Sequence, residues 1–454
     1  MMKKKIIAVI AGLCLIMSMA ACQITTDTGE AAAEQTNAPA ETSAAESEPK
    51  ESSNAKPYEG TTIEIAVRYS GGSLDIFNAI VNRFKEESGC NVEVTSYGDD
   101  YENTMKTRMA SNLLPDVFET HGWSILRYKE YLTDLSGESW VADYDESALG
   151  TITDDDGKIY VCMPSELYTC MLVNKGVCDQ ANVDIYSIET WDDFDDICAQ
   201  IKAAGFTPIA SAPVPATMAN SAGTWVSYEG ELAEDSAAML DGSYDFESFV
   251  PWLEELAGWI SKGYMFEDFA TINNTDTSER FSSDKAAFMI AQGGALLQGC
   301  LTLNPDGDYA IIPIPASKEG GKKFVAIGEG DAFGLWKESK NPEAAKAFMK
   351  YLTRPENANE LAVASGTVNC MKPTMETDDS RILEYFTIMK EKCAGDNILY
   401  DNFWDREYMP SGMWNVFKSG MEMLATDYSE QGIQAVKQML LENYQDLYEA
   451  AHAE

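Results

Sequence analysis

A strand, a helix and a second strand follow one another at the start of the folded region. The segment TTIEIAVRY (61–69) alternates apolar and polar residues and is rich in β-branched side chains, as strands are. Apolar residues then recur at helical spacing until Gly89, and NVEV (91–94) is predicted to be the next strand. A strand–helix–strand unit of about 30 residues requires a parallel sheet, which binds ligands at the carboxyl ends of its strands. We therefore expect an α/β fold, with the first such end at Arg68 and Tyr69.

A second helix is predicted where Thr190 and Asp193 form a capping-box pair ahead of an amphipathic stripe. Gly205 is expected to end this helix, and TPIA (207–210) has the composition of a following strand. The acidic run at 154–157 lacks the ligand spacing of a calcium loop, so we predict a solvated hairpin turn there. These signals continue the alternation of strands and helices.

The last quarter of the chain is predicted to be largely helical. Asn341 is expected to cap a helix that runs to Leu352, and Thr353 is expected to start another that ends at Gly366. Periodicity favours further helices over 382–452.

The first residues have the pattern of an export signal. A basic cluster at 3–5 precedes an apolar run at 6–17, which is too short to span a bilayer. The junction MAAC (19–22) resembles a bacterial lipobox, whose cysteine is acylated; ordinary secretion without a lipid is the alternative. We expect residues 1–21 to be removed and Cys22 to anchor the mature protein to the outer face of the cell membrane.

Residues 22–57 are expected to be the lipidated cysteine followed by a disordered tether. They are mostly Ala, Glu, Ser, Thr and Pro, so they cannot bury enough apolar surface to offset the entropy of ordering. No later stretch has the hydropathy of a transmembrane helix. The folded part is therefore predicted to lie outside the cytoplasm on a flexible connection.

The charge of the chain argues against several classes of function. Its 33 Lys and Arg against 74 Asp and Glu give a formal net charge of −41, whereas nucleic-acid binding depends on cationic side chains. We therefore expect no nucleic-acid partner. With only His121 and His452 present, a His-rich metal site or a Ser-His-Asp triad would have to be built around His121 alone, and we expect neither a metal nor a cofactor.

Cysteine spacing defines no metal or redox motif. Eight of the 10 cysteines follow Cys22, and none of these forms a CxxC pair. Disulfides are allowed outside the cell, but a chain of this length does not need them. Buried free thiols are therefore the favoured state.

Five segments along the chain share a pattern with known proteins: LPDVFETHGW (114–123), GKIYVCMPSELYTCMLVNKGV (157–177), IETWDDFDDICAQIKAAGFTPIA (188–210), ERFSSDKAAFMIAQGG (279–294) and AFGLWKESKNPEAAKAFMKYLTRPE (332–356). In this order they resemble the family 1 extracellular solute-binding proteins of ABC importers, the maltose-binding-protein-like group. The resemblance implies a type II periplasmic-binding-protein fold, in which a ligand cleft separates two α/β lobes hinged by crossing segments. It places lobe one at 58–167 plus 314–366 and lobe two at 168–313 plus 367–454.

A sugar presents hydroxyl groups and an apolar face, so its site needs carboxylates, amides or Arg beside aromatic rings. The resemblance places such residues in loops of both lobes and in the crossing segments. The candidates are Arg68, Tyr69, Glu119, His121, Trp123, Glu166, Tyr168, Trp225, Gln292, Glu329, Asp331 and Trp404. Because no aromatic residue follows Gln292, unlike in the family, Trp225 or Trp404 would have to supply a stacking ring.

Several candidates also have a purely structural interpretation. Trp123 and Trp225 could belong to the core, and Glu166 could be an exposed residue of a hinge strand. Arg68 could belong to a surface ion pair. The segment AIGEGDAFG (326–334) could be a turn without a ligand; its acidic residues and its glycine spacing do not fit a dinucleotide site.

We interpret the chain as a lipid-tethered, monomeric binding protein. It would capture a sugar, in our interpretation an oligosaccharide, and deliver it to an ABC permease without catalysing a reaction. The chain contains no GxxxxGK[ST] motif, so ATP hydrolysis would belong to a partner subunit. The alternatives are a secreted glycoside hydrolase, which needs two suitably spaced carboxylates, and a surface protein that binds glycans without transport.

Overall fold

The computed structural model describes residues 56–120, 128–144, 146–154, 156–213, 232–290, 293–372, 385, 392, 398–402 and 408–452. The predicted export signal, Cys22 and the tether up to residue 55 lie outside these ranges.

Eleven strands and thirteen α-helices lie in the described ranges. The strands are β1 (Thr62–Val67), β2 (Asn91–Ser96), β3 (Val117–Glu119), β4 (Val161–Thr169), β5 (Met171–Asn174), β6 (Thr207–Ile209), β7 (Ala286–Met289), β8 (Tyr309–Ile312), β9 (Lys323–Leu335), β10 (Val368–Asn369) and β11 (Ile398–Asn402). The helices are α1 (Gly71–Ser88), α2 (Tyr101–Ala110), α3 (Glu146–Ile152), α4 (Lys175–Ala181), α5 (Trp191–Ala203), α6 (Leu232–Asp241), α7 (Val250–Ser261), α8 (Asn274–Ser282), α9 (Gly293–Leu303), α10 (Pro342–Leu352), α11 (Pro355–Ser365), α12 (Met413–Thr426) and α13 (Glu430–His452).

The strands form two sheets. The first has the order β10-β4-β9-β3-β1-β2, with β11 paired to β9, and the second has the order β6-β7-β5-β8. Strand β1 is parallel to β2 and β3, whereas β9 is antiparallel to β3 and β4. The predicted parallel unit of β1, α1 and β2 is confirmed. The carboxyl ends of β1 and β3 consequently lie at the same edge of the first sheet.

The predicted ends of two helices are confirmed. Helix α1 ends at Gly89, whose φ of 75° is the left-handed conformation that glycine adopts without strain. Helix α5 begins with a complete capping box, in which Asp193 N donates to Thr190 Oγ1 (3.3 Å) and Thr190 N donates to Asp193 Oδ2 (2.9 Å). Strand β6 follows this helix, as TPIA predicts.

The predicted caps of α10 and α11 are wrong. The Asn341 side chain does not cap α10; its Nδ2 donates to Thr62 O at 2.9 Å. Helix α11 starts at Pro355 rather than with a capping box at Thr353, whose Oγ1 donates back to Lys350 O at 3.0 Å. Both helices have proline in the first turn, where its fixed φ favours the helix and its missing N–H needs no acceptor.

Strand β11 was not expected, because the sequence around it has helical periodicity. It pairs in parallel with the first part of β9, from Ile398 opposite Lys323 to Asn402 opposite Ile327. This pairing with a distant strand overrides the local pattern. Helices α12 and α13 agree with the helical prediction for the rest of the C-terminal region.

Each sheet has its own hydrophobic core. The first core packs α1, α10 and α11 against the first sheet. The second core is rich in tryptophan: the rings of Trp191, Trp252 and Trp259 lie with their centroids 5.2 to 5.4 Å apart. A third, smaller cluster joins Tyr168 of β4 and Val325 of β9 to Leu297 of α9 and to the second sheet.

The chain passes between the sheets through long strands. Only Cys170 separates β4 of the first sheet from β5 of the second. The chain returns from β8 to β9, where Ile314 bridges to Phe324. Two antiparallel strands, β4 and β9, therefore run side by side where the sheets meet.

Other local predictions can also be compared with the described residues. Thr153 bridges to Ile159, and Asp154 Oδ1 accepts hydrogen bonds from the backbone N–H groups of Asp156 and Lys158, which confirms the hairpin turn. Within the described ranges, seven cysteines are buried free thiols: Cys90, Cys162, Cys170, Cys178, Cys198, Cys300 and Cys370. Among the described helices, none combines the length and the apolar character that crossing a membrane requires.

Candidate functional site

Arg68 and Glu119 meet at the edge where β1 and β3 end. The Glu119 carboxylate accepts the backbone N–H of Arg68 at 2.9 Å and the Nε–H of the same residue. Glu119 is 1% exposed, whereas the Arg68 side chain is 42% exposed. A buried carboxylate thus fixes an arginine side chain that is only partly covered, and an Arg donates up to five N–H groups.

The next residue, Tyr69, is buried and belongs to a second polar cluster. Its hydroxyl donates to Asp331 Oδ1 on β9, and Ser165 on β4 donates to Asp331 Oδ2 at 2.8 Å. Ser365, at the end of α11, donates to Asp331 Oδ1 at 3.3 Å. Thr367 donates to Ser165 Oγ at 2.9 Å and extends the network. One carboxylate therefore joins the end of β1, both crossing strands and the end of α11.

Burial controls the protonation of this cluster. Asp331 is 1% exposed, and its removal from water raises its pKa to about 6, although the Tyr69 hydroxyl favours the charged form. Burial and then the neighbouring Asp331 charge hold the pKa of Tyr69 well above its ordinary value. Tyr69 is therefore a neutral hydrogen-bond donor at physiological pH.

Glu166 and Tyr168 lie on the same face of β4, two residues apart. The Tyr168 hydroxyl donates to Glu166 Oε2 at 3.1 Å, and both side chains are buried. The alternative interpretation of Glu166 as an exposed residue of a hinge strand is therefore wrong. Glu166 lies opposite Val368 of β10 on one side and Glu329 of β9 on the other.

The predicted turn around Glu329 and Asp331 is wrong, because both residues lie inside strand β9. Strand β9 pairs with β4 there, with Glu329 opposite Glu166 and Asp331 opposite Ser165, so this segment is extended rather than turned. Gly330 allows side chains, rather than a ligand, to approach closely. A Cβ atom at this position would lie 2.5 Å from Thr367 Cγ2 and 2.9 Å from Ser165 Oγ.

The remaining candidates lie outside the described part of the chain. They are His121, Trp123, Trp225, Gln292 and Trp404, together with the side chain of Glu329. Their predicted roles stay predictions. The structure thus brings Arg68 together with Glu119, Tyr69 together with Asp331, and Glu166 together with Tyr168.

Sequence reasoning missed the three hydroxyl residues of the Asp331 cluster, Ser165, Ser365 and Thr367. Ser165 carried a usable signal, because a hydroxyl in an otherwise apolar strand has to find a hydrogen-bond partner. Ser365 and Thr367 carried none, since residues at the end of a helix are commonly polar.

A groove of about 670 Å³ opens close to these clusters, between three helices. Helices α1 and α11 pack in the core of the first sheet, and α9 packs against the second sheet. The polar residues that line the groove are Ser73, Gln298, Thr302, Asn359 and Glu360.

Among the described residues, no group of three His, Cys, Asp or Glu side chains is placed to hold a metal ion.

Two sheets joined by crossing strands, with polar residues gathered at strand ends, define a two-lobed binding protein. A family model described as bacterial extracellular solute-binding protein matches residues 79–380, and the chain belongs to this family. The predicted membership and the predicted two-lobed fold are confirmed. The family description also agrees with the expected position outside the cytoplasm.

Two curated relatives are similar over much of their length. The melibiose/raffinose/stachyose-binding protein MelE of Bacillus subtilis is 29% identical over 394 residues, which cover 83% of this chain and 88% of MelE. An arabinooligosaccharide-binding protein of the same organism is 23% identical over 285 residues, which cover 60% of this chain and 63% of that protein.

Solved structures have the same fold. A Bacillus subtilis binding protein in an open conformation superposes with a TM-score of 0.76 at 26% identity, covering 88% of this chain and 100% of that protein. A Bacillus licheniformis sugar transporter in complex with stachyose superposes with a TM-score of 0.72 at 22% identity, covering 85% of this chain and 100% of that one.

Proposed function

We propose that this protein captures an oligosaccharide outside the cell and delivers it to an ABC permease. The names of the relatives, which specify melibiose, raffinose, stachyose and arabinooligosaccharides, support a sugar ligand. The protein would act as a monomer and break no bond in the sugar.

The observation that carries this proposal is the partly exposed side chain of Arg68, held by the buried Glu119 at the carboxyl end of β1. A fixed guanidinium offers several N–H donors to neighbouring sugar hydroxyls and loses little rotational entropy on binding. We assign direct contact to Arg68. Tyr69, Glu119, Glu166 and Asp331 would shape the first-lobe wall, with Tyr168 beside it at the start of lobe two, because their polar atoms are buried and engaged with other protein groups.

The aromatic contacts in this proposal come from Trp123, Trp225 and Trp404, with His121, Gln292 and Glu329 as further polar contacts. Stacked rings would cover the apolar face of a sugar, while Arg68 binds its hydroxyls. In the lobe assignment that we propose, residues 58–167 plus 314–366 form lobe one and residues 168–313 plus 367–454 form lobe two. Support comes from the passage of the chain between sheets at Cys170 and between β8 and β9.

The proposed cycle is closure of the lobes around the sugar. A ligand that touches both lobes only when they are closed favours the closed state by the difference in its affinity for the two states. Strands β4 and β9 would act as the hinge, because they join the two sheets.

A thermal-shift screen of the purified protein against monosaccharides and oligosaccharides tests this function. A true ligand raises the melting temperature by mass action, in proportion to the logarithm of its concentration above the dissociation constant. Chromatography of the same mixtures should return the sugar intact. If the sugar were cleaved, the protein would be a glycoside hydrolase rather than a binding protein. If no sugar shifted the melting temperature, the proposal would be wrong.

Membrane attachment and transport need separate tests. Metabolic labelling with a radioactive fatty acid should label the wild-type chain and not a Cys22→Ser variant. Deletion of the gene should abolish uptake of the sugar; unchanged uptake would favour a glycan-binding surface protein without a transport role.

A further inference from the structure

We infer that the groove between α1, α11 and α9 is an extension of the sugar cleft that accepts the outer residues of a longer oligosaccharide. This inference rests on the proposed function and adds to it a determinant of chain length.

The walls of the groove come from both halves of the molecule. Gln298 and Thr302 are one turn apart and share a face of α9, which packs against the second sheet through Leu297. Ser73 and Ile76 at the start of α1 form part of the opposite wall, which belongs to the first sheet. A ligand in the groove would therefore touch both halves, as a sugar held between two lobes must.

The lining has the chemistry that a sugar needs. An amide, two hydroxyl groups and a carboxylate face the groove from Gln298, Thr302, Ser73 and Glu360, while Ile76 and neighbouring aliphatic carbons offer apolar surface. The Glu360 carboxylate is oriented by Arg83, whose Nη2 lies 2.8 Å from Glu360 Oε2. The volume of about 670 Å³ lies within the usual range of about 300 to 1,000 Å³ for small-molecule sites.

The groove adjoins the Tyr69 cluster through the end of helix α11. Ser73 donates to Ala364 O at 3.0 Å, and the next residue, Ser365, donates to Asp331 of the Tyr69 cluster. Helix α1 begins only three positions after Arg68. Arg68 and the α1 wall of the groove are therefore close neighbours along the chain, which is why we assign the groove to the outer residues of a sugar bound at Arg68.

A series of sugars that grows by one hexose at a time tests the inference: melibiose, raffinose and stachyose. We would measure the three dissociation constants by calorimetry for the wild-type chain and for Thr302→Trp, which fills the groove from the α9 wall. The expected result is at least a tenfold loss of stachyose affinity with less than a twofold change for melibiose. Gln298→Ala removes one amide and leaves the helix intact. It should also weaken stachyose binding more than melibiose binding, with a loss of stachyose affinity of threefold or more.

Matched controls are available on other helices. Thr107 on α2 is, like Thr302, an exposed threonine whose Oγ1 donates to the carbonyl four residues earlier, so Thr107→Trp should change no affinity. Gln200→Ala on α5 is the control for Gln298→Ala. Equal losses for all three sugars, or no loss for any, would overturn the groove assignment while leaving the sugar-binding function in place. If the wild-type chain bound no sugar of any length, the proposed function itself would fail, and this inference with it.

Discussion

The hydroxyl of Tyr69 donates a hydrogen bond to the carboxylate of Asp331, 262 positions further along the chain. Tyr69 directly follows Arg68, and Asp331 lies in the strand that returns from the second sheet to the first. The contact therefore links the segment that carries Arg68 to the crossing strands. Because Ser165 and Ser365 bond the same carboxylate, its removal would release several segments together.

The protonation of Asp331 should make stability depend on pH in an unusual direction. Its pKa is about 6 in the folded state, against 3.8 for an unperturbed Asp, so between pH 4 and 6 the folded state binds more protons than the unfolded state. The contribution of this residue to stability is consequently lost as the pH rises through this window. Asparagine does not titrate, so Asp331→Asn should not share this loss. The free energy of unfolding of Asp331→Asn minus that of the wild type should therefore be about 2 kcal/mol larger at pH 7 than at pH 4.5.

Urea unfolding of both proteins at the two pH values measures this difference, and other carboxylates cancel in the comparison. Asp306→Asn, at an exposed position, should follow the wild type at both pH values. A difference between wild type and Asp331→Asn that stays constant with pH would show that Asp331 titrates normally.

Loss of the Arg68 side chain should weaken sugar binding. Arg68→Ala removes the exposed donors, and we expect a loss of affinity of at least tenfold, or about 1.4 kcal/mol. Arg68→Lys should recover only part of it, because an ammonium cannot donate two parallel hydrogen bonds. Calorimetry with the sugar found in the thermal-shift screen measures the effect.

Arg280 on α8 provides the control for this prediction, since it also forms an ion pair, with Asp268, away from β1. Arg280→Ala should leave the sugar affinity unchanged. Wild-type affinity in folded Arg68→Ala would remove Arg68 from the site.

The capping box of α5 should contribute measurably to stability. Thr190→Ala removes the acceptor of the Asp193 N–H, and the expected loss is about 1 kcal/mol in the free energy of unfolding. Thr190→Ser keeps the hydroxyl and should lose much less. Denaturant unfolding of the three proteins tests this, and equal stability of all three would mean that water replaces the cap.

The fold was predictable from sequence where local signals and tertiary structure agree. Strand β1, helix α1 and the capping box of α5 have strong local patterns, and each is found within one or two residues of the prediction. Strand β11 has no such pattern, because it is stabilised by pairing with residues some 75 positions earlier in β9.

The candidate site was predictable in part. Arg68 and Glu119 could be selected because polar residues at strand ends meet at one edge of a parallel sheet. Their direct pairing, and the burial of Asp331 under three hydroxyl groups, could not be predicted, since both depend on which side chains the packed strands bring together.

Gly330 should not tolerate a side chain, although its backbone conformation would accept one. A Cβ atom would lie 2.5 Å from Thr367 Cγ2, so Gly330→Ala must displace the Thr367 side chain, which belongs to the Asp331 cluster. Overpacking of this kind costs about 1 to 3 kcal/mol. Gly258 lies inside helix α7, where an added methyl group would meet nothing within 4 Å beyond the adjacent residues and the backbone of the helix itself, so Gly258→Ala should instead stabilise the protein by roughly 0.5 to 1 kcal/mol. Thermal unfolding of the two variants separates local crowding from a general effect of replacing glycine: opposite shifts in melting temperature support the packing described for β9, and stabilisation by Gly330→Ala would contradict it.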